Sequence, residues 1–378
     1  MNFKTVVFPF VGDSLGGSHL ATLELIAACR ELQHEFKFKI WVAQKGPLSK
    51  FLDNNSITYE LISGLPISGR EVSPFQQIKK LVSSTLWLLR QLKNCDLHII
   101  HTNDARMHIT WALVCRLKRI PHVMHQRGRF PGDSLHTFPL TLSSAVICVS
   151  NYVRETISPR FSKKVHQVYD FKSFPYLPER PPKRFETDRP MRIIFLGTLS
   201  TQKRPDLFLD FACRILELDP DLEFFIFGRE DAFSFDQLMK PVHRDKKKKF
   251  VWKGFVQDIG SNLRQFDILI APGVNDALPN SVIEACASGL LVFAADSGGN
   301  PEIITHEKDG FLISDFKNKG FLKYFLGVVR NNELREKISN AAWLSSREKF
   351  FNTEIPEKII NIYRNLTNAH HKHPNAKK

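Results

Sequence analysis

Short apolar runs alternate with longer segments in which apolar residues recur every three or four positions, from one end of the chain to the other. The runs are 4–11, 38–43, 97–101, 122–125 and 145–149 in the first half and 191–196, 223–227, 267–271 and 290–294 in the second. Their near-continuous Val, Ile, Leu and Phe content is typical of strands buried on both faces of a parallel sheet. The pattern predicts an α/β protein with two doubly wound, Rossmann-like domains.

A proline-dense segment, 175–183, separates the two series of strands and is the natural domain boundary. We therefore predict an N-terminal domain over 1–180, a C-terminal domain over 190–353, a final helix over 354–366 and a disordered, His-rich tail over 367–378. Because such sheets bind ligands at the carboxyl ends of their strands, the two domains are expected to face one shared cleft.

The charge of the chain is strongly positive and unevenly placed. The 378 residues are 43% hydrophobic, as in ordinary globular proteins, and carry a net charge of +14. Residues 1–180 hold 23 Lys and Arg against 13 Asp and Glu, a net charge of +10. A one-sided basic field attracts phosphates, anionic lipid or nucleic acid. The lysine run 246–249 precedes a strand predicted over 250–252. It lacks interleaved aromatic residues and is interpreted as a solvated loop, which argues against nucleic acid.

Several function classes are disfavoured by what the sequence lacks. Its six cysteines form no C-x-x-C pair, so we interpret them as reduced core thiols of a cytosolic protein and expect neither a zinc site nor disulfides. The N-terminal segment has the character of a first strand, not of a signal peptide. No uncharged apolar stretch reaches the length of about 18 residues that a membrane span needs.

A glycine-rich turn follows the first strand and leads into an apolar-periodic helix. Gly16, Gly17 and Ser18 open that helix, where glycine lets a ligand approach the backbone and free N–H groups favour an anion. The spacing is neither that of dinucleotide-binding proteins nor that of a P-loop. A tight strand-to-helix turn without a ligand fits the same residues equally well.

The segment 271–289 is the most informative part of the chain. A strand leads into a loop carrying Asp276, Asn280 or Ser281 is placed to cap a helix, and Glu284 lies one turn into that helix. Helix N–H groups bind phosphate, and carboxylates accept hydrogen bonds from sugar hydroxyls. Either acid alone is more often a capping or solvated group. Together they indicate a ligand with both phosphate and hydroxyl groups.

These motifs resemble those of the retaining glycosyltransferases of family 4. Asp276 and Glu284 enclose seven residues like the E-x7-E block of that family, and 285–289, 298–302 and 309–312 follow in the family order. The other matching segments are the turn at 16–17, 147–150, 195–197 with Lys203 six residues on, 227–228 and 252–255. The resemblance implies the GT-B fold, in which a C-terminal helix crosses back to the first of two Rossmann-like domains.

The resemblance also implies roles for individual residues. The second domain would bind a nucleotide-diphospho-sugar, with Glu284 on the ribose hydroxyls and Asp276 on the sugar hydroxyls. Lys203 would neutralise the diphosphate, and His125 would contact the sugar. The further donor contacts that it implies are Gly16, Gly17, Thr198, Arg204, Gly228, Arg229, Leu278, Pro279, Asn280, Ser281 and Val282.

Two positions depart from the family pattern. The family usually has Glu where this chain has Asp276, which is one methylene shorter. It often has Arg where this chain has Thr198, and Arg204 is the candidate substitute in the phosphate clamp.

The basic first half carries the candidate acceptor site. Two segments rich in His and Arg, 101–108 and 122–129, follow the third and fourth strands and therefore lie at the carboxyl edge of the sheet. They suggest an anionic acceptor. The candidate contacts are Asn103, Asp104, Arg106, Arg127 and Arg129.

The segment 73–96 has apolar residues at helical spacing, with Lys79, Lys80, Arg90 and Lys93 away from that stripe. Such a helix either packs its stripe on the sheet, which the pattern favours, or lies on an anionic membrane.

The sequence and the resemblance together predict a metal-independent, retaining hexosyltransferase without a cofactor. It would move a sugar from a nucleotide-diphospho-sugar to a glycan or lipid-linked acceptor in cell-envelope polysaccharide or lipopolysaccharide synthesis. The expected location is the cytoplasm, at the inner face of the plasma membrane. Two alternatives remain open, a nucleotide-sugar epimerase of the same fold and a non-catalytic nucleotide-sugar-binding protein.

Overall fold

The computed structural model describes residues 3–67, 73–173, 189–256 and 259–371. The predicted boundary segment 175–183 and the tail beyond residue 371 lie outside these ranges. The chain divides into two compact units, the first comprising Met1–Ser173 with Asn352–Lys378 and the second Phe174–Phe351.

The described part of unit 1 is a parallel sheet with helices on both faces. Its strands are β1 (Lys4–Phe10), β2 (Phe36–Val42), β3 (Glu60–Leu61), β4 (Ile99–Thr102), β5 (His122–Gln126), β6 (Ala145–Cys148) and β7 (Val165–Gln167). Its helices are α1 (Gly17–Glu31), α2 (Pro47–Asn54), α3 (Pro74–Gln91), α4 (Ala105–Lys118), α5 (Ser134–Leu142), α6 (Asn151–Glu155) and, at the end of the chain, α14 (Glu354–His371). The strand order is β3-β2-β1-β4-β5-β6-β7.

Unit 2 repeats this plan with a second parallel sheet of order β10-β9-β8-β11-β12-β13. Its strands are β8 (Arg192–Leu196), β9 (Glu223–Phe227), β10 (Phe250–Gly254), β11 (Ile268–Ala271), β12 (Leu291–Ala295) and β13 (Phe311–Ile313). The helices of its described part are α7 (Pro205–Ile215), α8 (Phe235–Met239), α9 (Arg244–Lys247), α10 (Asn280–Ala287), α11 (Asn300–Ile303), α12 (Lys319–Val329) and α13 (Asn332–Phe350). The predicted fold class, two doubly wound α/β units, is confirmed.

The last helix belongs to unit 1, although the chain enters it from unit 2. Ile355, Ile359 and Tyr363 recur every four residues and are buried in the core of the first sheet. The helix does not end at residue 366 as predicted, and 367–371 are helical rather than disordered. Thr367 explains this, because its buried hydroxyl accepts a hydrogen bond from Lys4 Nζ at 2.9 Å and so ties the next turn to β1.

The prediction that the apolar stripe of segment 73–96 packs on the sheet is wrong for half of that stripe. Phe75, Ile78, Val82 and Leu86 of α3 are 77%, 62%, 46% and 52% exposed. The face toward the sheet is instead built around Leu88 and the small residues Ser84 and Thr85. Both hydroxyls bond to carbonyls one turn earlier in α3, so they are buried without an unpaired polar group.

Among the described residues, no helix combines the length and the apolar character that crossing a membrane requires.

Candidate functional site

A depression in unit 2 lies at the carboxyl ends of the central strands β8 and β11, where parallel α/β sheets bind ligands. It encloses about 300 Å³, including space open to solvent. Its walls are the strand ends, the loop after β11 and the start of α10. The lining residues are Phe195, Leu196, Lys203, Ile270, Ala271, Gly273, Asp276, Pro279, Ser281, Val282 and Asn300.

The two charged groups of this depression are paired with each other. Lys203 Nζ lies 2.6 Å from Asp276 Oδ2, and the two side chains are 24% and 21% exposed. The sequence assigned these residues to different parts of a ligand, and the structure brings them into direct contact. Because the ammonium group stays partly open to solvent, it can bind an additional anion while Asp276 holds its position.

Hydrogen bonds to its main chain hold the loop carrying Asp276 from both sides. Gln202 Nε2 donates to Asn275 O at 3.0 Å, which joins the Asp276 loop to the segment that precedes α7. On the other side, Gly299 N donates to Asp276 O at 2.7 Å and Asn275 N donates to Ser297 Oγ at 3.0 Å. The Lys203–Asp276 pair is therefore placed by fixed backbone, as a preorganised site requires.

Glycine is necessary in the turn that supports this loop. Gly298 has a φ of +62°, and a Cβ at this residue would lie 2.3 Å from Asp276 O. A Cβ at Gly299 would lie 2.3 Å from Ala277 O. In the sequence this glycine pair was only one segment of the family resemblance. In the structure, the two glycines let their turn contact the main chain of the loop that carries Asp276.

Asn300 is a lining residue that the sequence reasoning missed. It is buried, and its Nδ2 donates to Ala295 O at 2.9 Å. Its Oδ1 has no hydrogen-bond partner in the described part of the chain. The sequence signal that could have identified Asn300 is its position directly after Gly298 and Gly299.

Helix α10 points its N-terminus at the depression. Its N-cap is Pro279, which supplies no side-chain hydrogen bond, so the prediction that Asn280 or Ser281 caps the helix is wrong. Proline fixes the entry to the helix but leaves its first N–H groups without a side-chain acceptor, which favours an anion there. Leu278 is buried just before it, and Glu284 lies half-buried one turn in, outside the set that lines the depression.

The other predicted donor residues surround the site less closely. Arg204 makes a two-pronged ion pair with Asp206, with Nη2 2.7 Å from Oδ2. Burial alone would raise the pKa of Asp206, but the hydrogen bond and charge of Arg204 lower it on balance. Thr198 is exposed, and Arg229 stacks over the ring of Phe255 at 3.9 Å.

Gly228 is explained by packing of unit 2 itself. A Cβ there would lie 1.9 Å from the carbonyl oxygen of Gly197, because the ends of β8 and β9 touch through their backbones. A ligand is not needed to account for this glycine.

The glycine turn of unit 1 separates into two kinds of position. Gly12 has a φ of +100°, and a Cβ there would lie 2.1 Å from Gln44 O. Gly16 is the N-cap of α1, and Gly17 is its first residue. Gly16 has extended backbone and is exposed, and a Cβ there would meet nothing within 4 Å. Packing therefore requires Gly12 but not Gly16.

Replacing these two glycines by alanine is expected to destabilise the protein to very different extents. Gly12→Ala should lower the free energy of unfolding by about 2 kcal/mol or more, because it combines a disfavoured φ with a backbone clash. Gly16→Ala should cost less than about 1 kcal/mol, the difference between these residues at an N-cap. Thermal unfolding of both variants checks this, and an equal loss in Tm would contradict it.

The candidate acceptor residues lie at the carboxyl edge of the first sheet, largely as ion pairs. Arg106 binds both carboxylate oxygens of Asp13, at 2.7 and 2.8 Å. Arg127 is paired with the buried Asp170. Arg129 is exposed. An anionic acceptor would therefore meet one open guanidinium and two that are already partly neutralised.

Asn103 and Asp104 have local structural roles. The Asp104 carboxylate caps α4 by accepting from Met107 N at 3.0 Å, and burial raises its pKa. Asn103 is buried and donates to His101 O.

Strand alternation separates the buried histidines of unit 1 into two groups. His101 and His125 lie on the sheet face that α14 covers, with His101 Nε2 3.1 Å from His125 Nδ1. On the opposite face, the hydroxyl of Thr102 bonds to His108 at 2.6 Å and to His122 at 2.9 Å. Burial lowers the pKa of all four imidazoles, that of His122 to about 3.

His125 itself is only 1% exposed. The predicted contact of His125 with a sugar stays a prediction. Within the described ranges, no three or more His, Cys, Asp or Glu side chains are grouped so that they could hold a metal ion.

Two family profiles together match most of the chain. The profile for glycosyltransferase family 4 matches residues 15–171 and the one for group 1 glycosyl transferases matches residues 178–343. The chain is 23% identical over 363 residues to UDP-Gal:alpha-D-GlcNAc-diphosphoundecaprenol alpha-1,3-galactosyltransferase of Escherichia coli, covering 87% of this chain and 89% of that protein.

Solved structures share the fold at low sequence identity. The crystal structure of Anabaena HepE in complex with UDP and glucose superposes with a TM-score of 0.75 at 14% identity, covering 96% of this chain and all of that one. A glycosyltransferase from Rickettsia africae has a TM-score of 0.75 at 17% identity, with 97% and 99% covered.

Proposed function

This chain belongs to glycosyltransferase family 4, and from that premise we propose that it is a retaining, metal-independent enzyme that transfers a hexose from a nucleotide-diphospho-sugar to a glycan or lipid-linked acceptor. Unit 2 binds the donor and unit 1 binds the acceptor. The observation that carries the proposal is the Lys203–Asp276 pair beside the N-terminus of α10.

The proposed chemistry follows from charge. Breaking the bond between sugar and diphosphate leaves negative charge on the diphosphate, and groups fixed in advance toward that charge lower the barrier. The Lys203 ammonium and the first N–H groups of α10 supply such groups. Asp276 accepts hydrogen bonds from sugar hydroxyls and orients Lys203, and Glu284 binds the ribose.

In this proposal the diphosphate oxygen that leaves the sugar takes the proton of the acceptor hydroxyl. The new bond forms on the face from which the diphosphate departs, so the anomeric configuration is retained. Asp276 has no nucleophilic role in this proposal, and its carboxylate, 2.6 Å from Lys203 Nζ, serves to orient that cation.

We infer a UDP-hexose as donor, since the similar E. coli enzyme is described as using UDP-Gal and the Anabaena structure contains UDP and glucose. A thermal-shift screen of UDP-, GDP- and ADP-sugars tests this inference, because a bound donor stabilises the fold by RT ln(1 + [L]/Kd). Stabilisation by ADP- or GDP-sugars alone would contradict it.

We propose an acceptor of the cell envelope that carries phosphate and a lipid. The E. coli relative acts on a sugar linked to diphosphoundecaprenol, and 1–180 of this chain has a net charge of +10. Arg129 is the open cation for such an acceptor. Arg106 and Arg127, which are held in place by their carboxylate partners, orient the acceptor.

We further propose that α3 holds the enzyme at the surface of an anionic membrane. With 3.6 residues per turn, Phe75, Ile78, Val82 and Leu86 share one side of the helix, and all four are exposed. The segment 74–94 contains four Lys and Arg and no Asp or Glu. An apolar stripe bordered by basic residues is the pattern of helices that lie in a membrane interface.

Placing a charge in this stripe is expected to release the enzyme from lipid. Ile78→Glu with Val82→Glu should abolish sedimentation with vesicles containing phosphatidylglycerol, because two carboxylates would enter the apolar layer. Leu344→Glu, at a 53% exposed leucine on α13, is the matched control and should bind like the wild type. Equal sedimentation of the α3 variant and the wild type at low salt would refute the membrane contact.

A further inference from the structure

Asn300 places a buried hydrogen-bond acceptor in the wall of the unit 2 depression. The residue is 2% exposed and lines the depression together with Lys203 and Asp276. The carbonyl oxygen of Ala295, 2.9 Å away, only accepts hydrogen bonds, so the side-chain atom that faces it is the amide nitrogen. This contact fixes which way the amide points and leaves Oδ1 as the atom that needs a partner.

This oxygen is buried, and within the part of the chain that the structure describes it has no hydrogen-bond partner. A buried polar atom without a hydrogen bond costs stability, and such atoms in native proteins usually mark a ligand or another functional role. Because Asn300 forms part of the wall of the depression, a ligand that fills the depression is the group placed to satisfy it.

The main chain around Asn300 is held firmly, so Oδ1 keeps one direction. Asn300 N donates to Ser297 O at 3.3 Å, and Ile304 N donates to Asn300 O at 2.9 Å. Lys349 Nζ on α13 donates to the last two carbonyl oxygens of α11, at 3.2 and 3.3 Å, and so holds the end of the short helix that Asn300 begins. A side chain supported in this way can select one ligand over another.

The chemistry of Oδ1 decides which ligand group it takes. An amide oxygen only accepts hydrogen bonds, so its partner must be a donor. An ionised diphosphate has acceptor oxygens alone and cannot supply one, whereas a sugar hydroxyl can. In the proposed function Asp276 meets the hydroxyls of the hexose, and Asp276 O accepts from Gly299 N at 2.7 Å, one residue before Asn300. The hexose hydroxyls are therefore the donors assigned to this side of the depression.

Asp276 does not use its whole carboxylate for these hydroxyls, because Lys203 Nζ lies 2.6 Å from its Oδ2. We propose that Asn300 is a specificity-determining residue of the donor site, whose Oδ1 accepts a hydrogen bond from one hydroxyl of the hexose. This inference rests on the proposed function for the identity of the ligand. All the residues that it involves belong to unit 2.

Asn300→Leu tests this inference, because it replaces the amide by an apolar group with the same branching. The Kd is measured in the wild type and the variant for UDP-glucose, for UDP-galactose and for the monodeoxy analogues of whichever binds more tightly. Removing the one hydroxyl that Oδ1 binds should weaken binding about tenfold more in the wild type than in the variant, the effect of one hydrogen bond. The other monodeoxy analogues should lose affinity by the same factor in both proteins.

Each ratio of Kd values is taken within one protein, so a general weakening of the variant, which leaves Ala295 O unpaired, cancels. Asn300→Ser is the second variant if Asn300→Leu does not fold, since its shorter side chain withdraws the same acceptor. Asn340→Leu, on α13 and outside the residues that line the depression, is the matched control and should discriminate like the wild type.

One result overturns this inference alone. It is a wild type that binds the UDP-hexose but loses the same factor as the Asn300 variant for every monodeoxy analogue. If the wild type bound neither UDP-hexose, the proposed donor and the role of Asn300 would fail together.

Discussion

Unit 1 is expected to lose about 5 kcal/mol of stability when the pH is lowered from 7.5 to 5.5. The cause is the burial of His101, His108, His122 and His125, each of which has a lowered pKa in the folded protein. In the unfolded chain these rings titrate near pH 6.5, so the unfolded state binds more protons below that value. The stabilisation they give is complete above pH 6.5 and is lost as the pH falls below it.

The four histidines contribute about equally to the loss over this interval, because each ring stays neutral in the folded protein and gains a proton in the unfolded chain. Two partly buried histidines, His19 and His166, also have a lowered pKa and act in the same direction. Asp104, whose pKa is raised by burial, acts in the opposite sense, but it is one group against several. The net loss is a large fraction of the 5 to 15 kcal/mol by which domains are usually stable.

Denaturant unfolding followed by tryptophan fluorescence at both pH values measures this loss. Trp41 and Trp111 are buried in unit 1, whereas Trp252 and Trp343 belong to unit 2, so single-tryptophan variants report on each unit. His243 and His306 of unit 2 are exposed, which makes unit 2 the internal control. A midpoint for unit 1 that does not change with pH would show that its histidines are not held neutral by burial.

Replacing Lys203 by alanine is expected to reduce kcat for sugar transfer by about 100- to 1,000-fold. The ammonium is the cation that lines the unit 2 depression. Without it, the negative charge that develops on the diphosphate would be repelled by the unpaired carboxylate of Asp276. Stability should change by less than about 1 kcal/mol, because the ion pair is partly exposed to solvent.

Lys323→Ala is the matched control for this variant, since Lys323 is an exposed lysine on α12 of the same unit. It should retain full activity. If Lys203→Ala kept more than a tenth of wild-type kcat with an unchanged fold, Lys203 would not be the principal group that stabilises the leaving diphosphate.

The strands that the sequence predicted are those with a neighbour on both sides in the two sheets, together with the edge strand β10. Their continuous apolar runs are the direct result of burial on both faces, so pattern and structure have the same cause. Strands β3 and β7 of unit 1 and β13 of unit 2 were missed. They are two or three residues long and lie at sheet edges, where one neighbour is enough and no long apolar run is required.

Helix α3 shows a different limit of the sequence. Its apolar residues exceed what one buried face needs, and periodicity alone cannot tell which of them faces the sheet. The buried side proved to include Ser84 and Thr85, because their hydroxyls can be satisfied within the helix. This left Phe75 and Ile78 in solvent, against expectation.

In the candidate site, the sequence identified the residues but not their partners. Lys203 and Asp276 were named from spacing and resemblance, yet they are 73 residues apart and only the fold shows that they touch. Asn300 was missed for the same reason, since its place in the lining comes from a loop that packs against distant strands.

The central claim is that the chain transfers a sugar from a nucleotide-diphospho-sugar. Release of UDP from labelled UDP-hexoses, measured with and without a lipid-linked saccharide acceptor, tests it most directly. The account predicts UDP release that requires the acceptor, equals the amount of sugar transferred and is lost in Lys203→Ala. Conversion of the donor to an epimer without acceptor, or a bound donor from which no UDP is released with any acceptor, would contradict it.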